Sequence, residues 1–185
     1  MNYKKQNKEI LIKFNKTENP KELDEMLYQF EQEMNNMNRR YFLKETENPF
    51  IFLLEYENPE ELIKEKSIIE KYKIIPVTCV HSNTNYITST ILRKIRHKIT
   101  SLDTFEVNCH LNTYSPFLTE HDIADEITNQ IQTITGIKKN NNNPVWKINI
   151  YIVGDITAIN INKINKNKIE INELTWVIKN HSHFF

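Results

Sequence analysis

The chain has 185 residues, 24 acidic and 24 basic side chains, and only two glycines and two cysteines. This glycine count excludes the phosphate-binding loops of nucleotide and dinucleotide enzymes, and the distant Cys79 and Cys109 support neither a disulfide framework nor a zinc ribbon. No stretch approaches the ~20 apolar residues of a membrane span, and residues 1–8 lack the apolar run of a secretory signal, so we expect a cytoplasmic protein without a membrane partner.

The first half of the chain alternates predicted strands and helices. Asn19-Pro20 and Asn58-Pro59 each have the form of a helix start, with asparagine as N-cap and proline as the first helical residue. Pro76 favours an edge position or a break in its strand. Strands are predicted over 8–14, 39–44, 50–56 and 73–80, and helices from 20 and from 59 through 70. This β-α-β-β-α-β order predicts a ferredoxin-like unit, which we place at residues 1–80.

The second half is predicted to form a sheet covered by helices over residues 81–185. Thr119 and Asp122 form a capping box with aspartate in place of glutamate, and Gly136 is expected to end that helix. Helices are predicted over 84–98 and from 120, and strands over 104–111, 145–153, 156–161 and 175–178. The fold class is therefore α+β with two domains.

The segment Arg93-Lys94-Ile95-Arg96-His97-Lys98 is the most informative candidate for function. On a helical wheel, isoleucines form one face and the basic groups form the other, with no acidic residue between 84 and 100. Such a face suits a phosphate backbone, because lysine and arginine release counterions condensed there. The alternative is a solvated helix face whose C-terminal cations interact favourably with the helix dipole.

Four further residues are candidates for contact with RNA. Lys138 and Lys139 follow the second of these helices, where they extend a basic track or interact with helix carbonyls. His110 and Asn112 lie at a strand end, where they could contact ribose or stack on a base, or serve as ordinary loop residues. Residues 71–185 hold 13 basic and 9 acidic side chains, against 11 and 15 in residues 1–70. This asymmetry favours a polyanion at the second half.

No catalytic site, metal site or cofactor is predicted. His181 and His183 lack further ligands in the sequence. Cys109 and His110 are adjacent in a predicted strand, so their side chains point to opposite faces and cannot form a nucleophile–base pair.

Residues 10–162 resemble the THUMP domain family. The resemblance lies in the order of short motifs rather than in any one of them: the basic helix, Phe105-Glu106-Val107, a capped helix, Gly136, Asn143-Pro144, an apolar strand and Gly154-Asp155. The upstream Ile74-Ile75-Pro76-Val77 is similar to the linker before the THUMP domain in the standalone branch. That branch contains tRNA-binding adaptors that assist cytidine acetylation.

The resemblance implies an N-terminal ferredoxin-like unit followed by an α/β THUMP domain. It also implies a tRNA-binding module that is not an enzyme and presents the acceptor region to a separate tRNA-modifying enzyme, an acetyltransferase being the candidate. Where the family usually has a basic cluster after Phe-x-Val, this chain has residues 108–112, NCHLN. The other basic residues would therefore contribute more of the RNA contact. The alternatives are a protein–protein adaptor with little RNA affinity and a small enzyme with an unrecognised site.

Overall fold

Eight strands form one mixed sheet in the part of the chain that the computed structural model describes, which comprises residues 8–65, 68, 71–113 and 119–164. The strands are β1 Lys8–Lys13, β2 Tyr41–Glu45, β3 Ile51–Tyr56, β4 Lys73–His81, β5 Thr104–Leu111, β6 Lys138–Lys139, β7 Trp146–Val153 and β8 Ile156–Lys163. The helices are α1 Pro20–Asn36, α2 Pro59–Leu62, α3 Thr84–Ile95 and α4 Glu120–Thr135. The strand predicted over 175–178 and the histidines at 181 and 183 lie outside the described residues.

Local capping groups begin α1 and α4, whereas the Asn58 side chain, predicted to cap α2, makes no capping hydrogen bond. The Asn19 side chain accepts a hydrogen bond from the Lys21 N–H at 3.1 Å and begins α1. Thr119 and Asp122 form both hydrogen bonds of a capping box at the start of α4. Gly136 ends α4 in the left-handed region with φ +74, as predicted from its position.

Two helices are shorter than predicted. The helix expected over 84–98 ends at Ile95, and residues 96–98 form a turn in which the Ile95 carbonyl accepts from the N–H of Lys98 at 2.7 Å and from that of Ile99 at 3.0 Å. Helix α2 ends at Leu62, and residues 66, 67, 69 and 70 of the longer predicted helix lie outside the described residues.

The sheet has the strand order β2-β3-β1-β4-β8-β7-β5-β6. The first four strands are all antiparallel, whereas β5 runs parallel to both of its neighbours, β6 and β7. Strand β4 belongs to both halves: residues 73–77 pair with β1, and residues 78–81 pair with β8. The predicted boundary between residues 80 and 81 therefore falls at the end of a strand that joins the halves.

Pro76 marks the place where the two halves separate. The carbonyl of Pro76 accepts a hydrogen bond from the Asn160 side chain of β8 at 2.8 Å, so its imino nitrogen faces β8 as well and has no hydrogen to donate. Pairing between β4 and β8 begins only at Thr78, two residues later. A cavity of about 700 Å³ lies between β4 and β8 at this point. The predicted break at Pro76 is thus confined to one side of the strand.

The four helices α1 to α4 of the described residues lie on one face of the sheet. Within β4, Ile74 packs with the core of the first half, and Val80, on the same face, packs with the core of the second half. The opposite, helix-free faces of the two halves contact each other in a third apolar cluster. Its members come from both halves: Leu11, Ile51, Leu53 and Ile75 from the first, and Tyr151, Val153 and Ala158 from the second. The sheet therefore curls so that the two halves close on one another.

Candidate nucleic-acid interface

The basic residues at the end of α3 are exposed. Ile87, Ile91 and Ile95 are buried at successive i+4 positions, which leaves the opposite side of the helix to solvent. Arg93, Lys94, Arg96, His97 and Lys98 are all exposed, and among the described residues no carboxylate forms an ion pair with any of them. The last three follow the helix rather than extending it, and Arg96 Nε donates to His97 Nε2 at 3.0 Å.

Lys138 and Lys139 lie at the same edge of the sheet as the end of α3. They form the two-residue strand β6, which pairs with Thr104 and Phe105 at the start of β5, and the chain reaches Thr104 directly from α3. Lys139 forms an ion pair with Asp125 at 3.4 Å, which offsets part of its charge. We call these seven residues the basic edge: Arg93, Lys94, Arg96, His97, Lys98, Lys138 and Lys139.

His110 and Asn112 lie apart from the basic edge. They lie at the other end of β5. At ~3.3 Å per residue, the distance along the strand from Thr104 to His110 is roughly 20 Å. There the Asn112 side-chain oxygen accepts a hydrogen bond from Lys13 Nζ at 3.1 Å. The backbone carbonyl of Asn112 accepts one from Asn48 Nδ2 at 2.8 Å. Asn112 therefore connects the second half to the first half, a role that the sequence did not indicate.

Three lysines of the first half gather at this end of β5. Lys13 Nζ lies 4.7 Å from the centroid of the Tyr151 ring, on which the His110 ring stacks at 4.9 Å and 15°. Lys73 is paired directly opposite Lys13 across β1 and β4. Lys16 lines the same opening, the junction cleft, a cavity of about 270 Å³ lined by residues of both halves: Lys13, Phe14, Lys16, Asn48, Phe50, Ile51, Leu111, Asn112 and Thr113. Sequence reasoning missed these lysines, because each stands alone in a strand or loop with no basic neighbour beside it.

The charges at the junction act on one another. Burial lowers the pKa of His110 from its ordinary value, and the nearby Lys13 and Lys73 charges lower it further. Burial also lowers the pKa of Lys13, with smaller contributions in the same direction from Lys73 and Lys16. Glu120 opposes both shifts. The lysine side chains at the junction therefore repel one another and disfavour a further positive charge on His110.

Groups for nucleophilic or metal chemistry are not assembled in the described residues. No cluster of three or more histidine, cysteine or carboxylate side chains there could hold a metal ion. Burial raises the pKa of the Cys109 thiol to about 12, and burial also raises the pKa of the half-buried Cys79. None of the described helices has the length and apolar character of a membrane span.

Comparison with known proteins finds solved structures of similar fold, including the following two. No protein-family model matches the chain, and no curated protein matches it. PH1313 from Pyrococcus horikoshii Ot3 superposes with a TM-score of 0.65 at 14% identity, covering 85% of this chain and 55% of that one. A 4-thiouridine synthetase, solved as a complex with RNA and bound ATP, superposes with a TM-score of 0.57 at 14% identity, covering 86% and 42%. This chain thus spans about half the length of either protein, and the likeness supports the THUMP-type fold that the sequence resemblance predicts.

Proposed function

We propose that this protein is an RNA-binding module that acts in tRNA modification. It binds the acceptor region of tRNA and presents it to a separate enzyme, and it has no active site of its own. The observation that carries the proposal is the basic edge, whose exposed cations are grouped at one end of the second half. The likeness in fold to a 4-thiouridine synthetase that was solved with RNA supports both the ligand and the process.

The physical basis of binding is recognition of backbone and shape. Helical RNA has a deep, narrow major groove, so proteins contact its phosphates and 2′-hydroxyls rather than reading base edges. A protein of zero net charge can bind in this way when its cations are grouped, because each neutralised phosphate releases condensed counterions. The basic edge supplies that group, and the shared strand β4 holds the first half at a fixed position beside it.

We infer a closer assignment from the sequence resemblance. The all-antiparallel order β2-β3-β1-β4 with its two intervening helices supports a ferredoxin-like first unit. The standalone adaptors of the THUMP family then provide the model for the role, with a cytidine acetyltransferase as the enzyme partner and the cytoplasm as the location. A pull-down with the full chain that recovers a tRNA-modifying enzyme of another class would contradict this assignment.

The test of the proposal is a salt titration of tRNA binding. Arg93→Ala with Arg96→Ala should weaken binding at ~0.1 M salt on the order of tenfold and lower the log–log salt slope by one to two phosphate contacts. Arg39→Ala with Arg40→Ala is the matched control, since it removes two exposed arginines from the first half, away from the basic edge. We expect the control variant to bind like the wild type.

A protein–protein adaptor is the second candidate. Two cations of the second half are partly neutralised within the chain, since Lys139 pairs with Asp125 and Lys147 with Glu106, both at 3.4 Å. Zero net charge points the same way. If the wild-type protein does not bind bulk tRNA even at ~50 mM salt, where phosphate contacts are strongest, the RNA proposal fails and the adaptor role is favoured.

A further inference from the structure

We propose that the junction cleft is a second RNA contact, which binds one phosphate group of the RNA between the two halves of the protein. This inference rests on the proposed function and adds a site roughly 20 Å from the basic edge. The ligand class is a phosphate ester. Lys13, Lys16 and Thr113 line the cleft and would bind it, and Lys73, opposite Lys13 on β4, would add its positive charge beside them.

The geometry of the cleft provides donors that are not used up within the protein. Lys13 Nζ has three hydrogens and donates one hydrogen bond to Asn112 Oδ1 at 3.1 Å. The Thr113 hydroxyl accepts from the Gly154 N–H at 3.3 Å and keeps its own hydrogen for a ligand. Lys16 lines the opening from the exposed loop after β1. The volume of about 270 Å³ holds several waters, at ~30 Å³ each, that a phosphate and its ribose would displace.

The charges of the cleft favour an anion over any other ligand. Lys13 and Lys73 lie directly opposite each other on neighbouring strands, an arrangement of like charges that destabilises a sheet. Two carboxylates lie near this group in the described residues. That of Glu120 acts on Lys13, and its Oε1 already accepts from the Leu111 N–H at 2.6 Å. That of Glu47 lies against Gly154, whose N–H donates to the Thr113 hydroxyl. A bound phosphate would relieve the repulsion among three lysines, and this relief would favour binding.

Hydrogen bonds join the two halves of the protein beside the cleft, so a phosphate bound there would have a defined position relative to both halves. Asn48 and Lys13 of the first half are hydrogen bonded to Asn112 of the second half, directly beside the opening. The apolar cluster that contains Leu11 and Tyr151 lies beneath. A phosphate in the cleft would therefore be held at a fixed distance from phosphates on the basic edge, which suits recognition of a helix by its shape.

Charge-removal variants of the full chain test the cleft. Lys16→Gln with Lys73→Gln should weaken tRNA binding on the order of tenfold at ~0.1 M salt and lower the salt slope by one to two contacts. Lys21→Gln with Lys64→Gln is the matched control, because it removes the same charge from exposed positions elsewhere in the first half. Equal losses in both pairs, or no loss in the cleft pair, would overturn the inference and leave the basic edge as the RNA contact.

The His110 imidazole is an independent reporter, observed by NMR and assigned with His110→Asn. The charged and titratable groups acting on it are Lys13 of β1, Lys73 of β4 and Glu120 at the start of α4, and it stacks on Tyr151 of β7. Inorganic phosphate should raise the pKa of His110 relative to chloride at equal ionic strength, because a bound anion offsets the lysine charges. In Lys16→Gln with Lys73→Gln, this response should be small.

The two measurements separate the cleft from the proposed function. One outcome is that the wild type binds tRNA, the pKa of His110 does not respond to phosphate, and the cleft variant binds tRNA with unchanged affinity. This outcome overturns the proposed phosphate site and keeps the proposed function. A His110 response to phosphate in a protein that binds no tRNA overturns the RNA assignment of both sites and leaves only an anion site. We expect the wild type to bind tRNA and its His110 pKa to rise with phosphate. In Lys16→Gln with Lys73→Gln, we expect both the tRNA affinity and the His110 response to fall.

Discussion

His110 is the residue whose ionisation depends most directly on how the two halves meet. Its ring stacks on Tyr151 at 4.9 Å, and Lys13 lies over the same tyrosine. Burial first, and then the Lys13 and Lys73 charges, lower its pKa from the ordinary value of 6.5. In the unfolded chain those lysines are no longer held near the ring.

This difference in pKa predicts how stability depends on pH. Between the folded and the ordinary pKa of His110, the unfolded chain binds more protons than the folded one, so stability rises with pH in that window. The His110 contribution is fully present above pH 6.5 and is lost as pH falls through the lower, folded value. We therefore expect the stability difference between wild type and His110→Asn to favour the wild type more at pH 7.5 than at pH 5.5.

Urea unfolding at both pH values provides the measurement for His110. The exposed His121, which pairs with Asp125 at 3.3 Å on the surface of α4, is the control position. His121→Asn should change the free energy of unfolding little, because the pair is exposed and a surface ion pair contributes little. A His110→Asn difference that stays constant from pH 5.5 to 7.5 would show that the lysines do not act on the imidazole.

At the scale of elements, α4 depends on its first turn. The helix begins at Glu120 directly after Thr119, whose hydroxyl accepts from the Asp122 N–H at 3.2 Å and donates to the Asp122 carboxylate at 2.7 Å. These hydrogen bonds satisfy groups that a helix start otherwise leaves unpaired. They also lower the pKa of Asp122, because hydrogen bonds donated to the carboxylate favour its ionised form.

Thr119→Ala should therefore cost about 1 kcal/mol of unfolding free energy, the usual cost of losing an N-cap. Thr133→Ala, at an exposed position inside the same helix, is the control and should be neutral or slightly stabilising, because alanine is the better helix former. Both changes are measured by denaturant unfolding. Equal effects at the two positions would mean that the capping box does not stabilise α4.

At the scale of the whole molecule, the two halves share a strand and an apolar cluster. Leu11 of β1 is fully buried in that cluster with Tyr151 and Val153 of β7. Because β4 pairs with both β1 and β8, strand β8 of the second half lacks its neighbour on one side without the first half. We infer that the halves fold as one cooperative unit.

Leu11→Ala tests this cooperativity. Loss of the side chain leaves a cavity between the halves and should cost about 2–5 kcal/mol. The Trp146 indole lies in the core of the second half, to which Leu11 does not belong, so its fluorescence reports on a cluster other than the one that the substitution changes. In a Trp176→Phe background, which leaves Trp146 as the single tryptophan, Leu11→Ala should shift the fluorescence transition and the circular dichroism transition together.

A Trp146 transition that stays in place while the circular dichroism transition shifts would contradict a single cooperative unit. It would show that the second half unfolds independently of the cluster that contains Leu11. Ile63→Ala provides the control, since Ile63 is exposed on the first half and its loss should leave both transitions close to those of the wild type.

The sequence by itself determined the local structure of this protein. Asparagine and threonine caps, Gly136 and alternating apolar residues act within a few positions of themselves, so they can be identified before the fold is known. The exposure of Arg93 and Lys94 follows from the same periodicity, because the isoleucines opposite them are buried, whereas Arg96, His97 and Lys98 lie beyond the helix. The predicted lengths of two helices were wrong, since α2 ends at Leu62 and α3 ends at Ile95.

Tertiary structure alone decided where the chemically useful groups meet. Lys13 and Asn112 are 99 residues apart, and no local pattern marks either as the partner of the other. Their contact arises because β4 changes partner beyond Pro76 and the curled sheet brings the helix-free faces together. Pairing between distant strands depends on packing across the whole chain, and for that reason the junction cleft could not be predicted from the sequence.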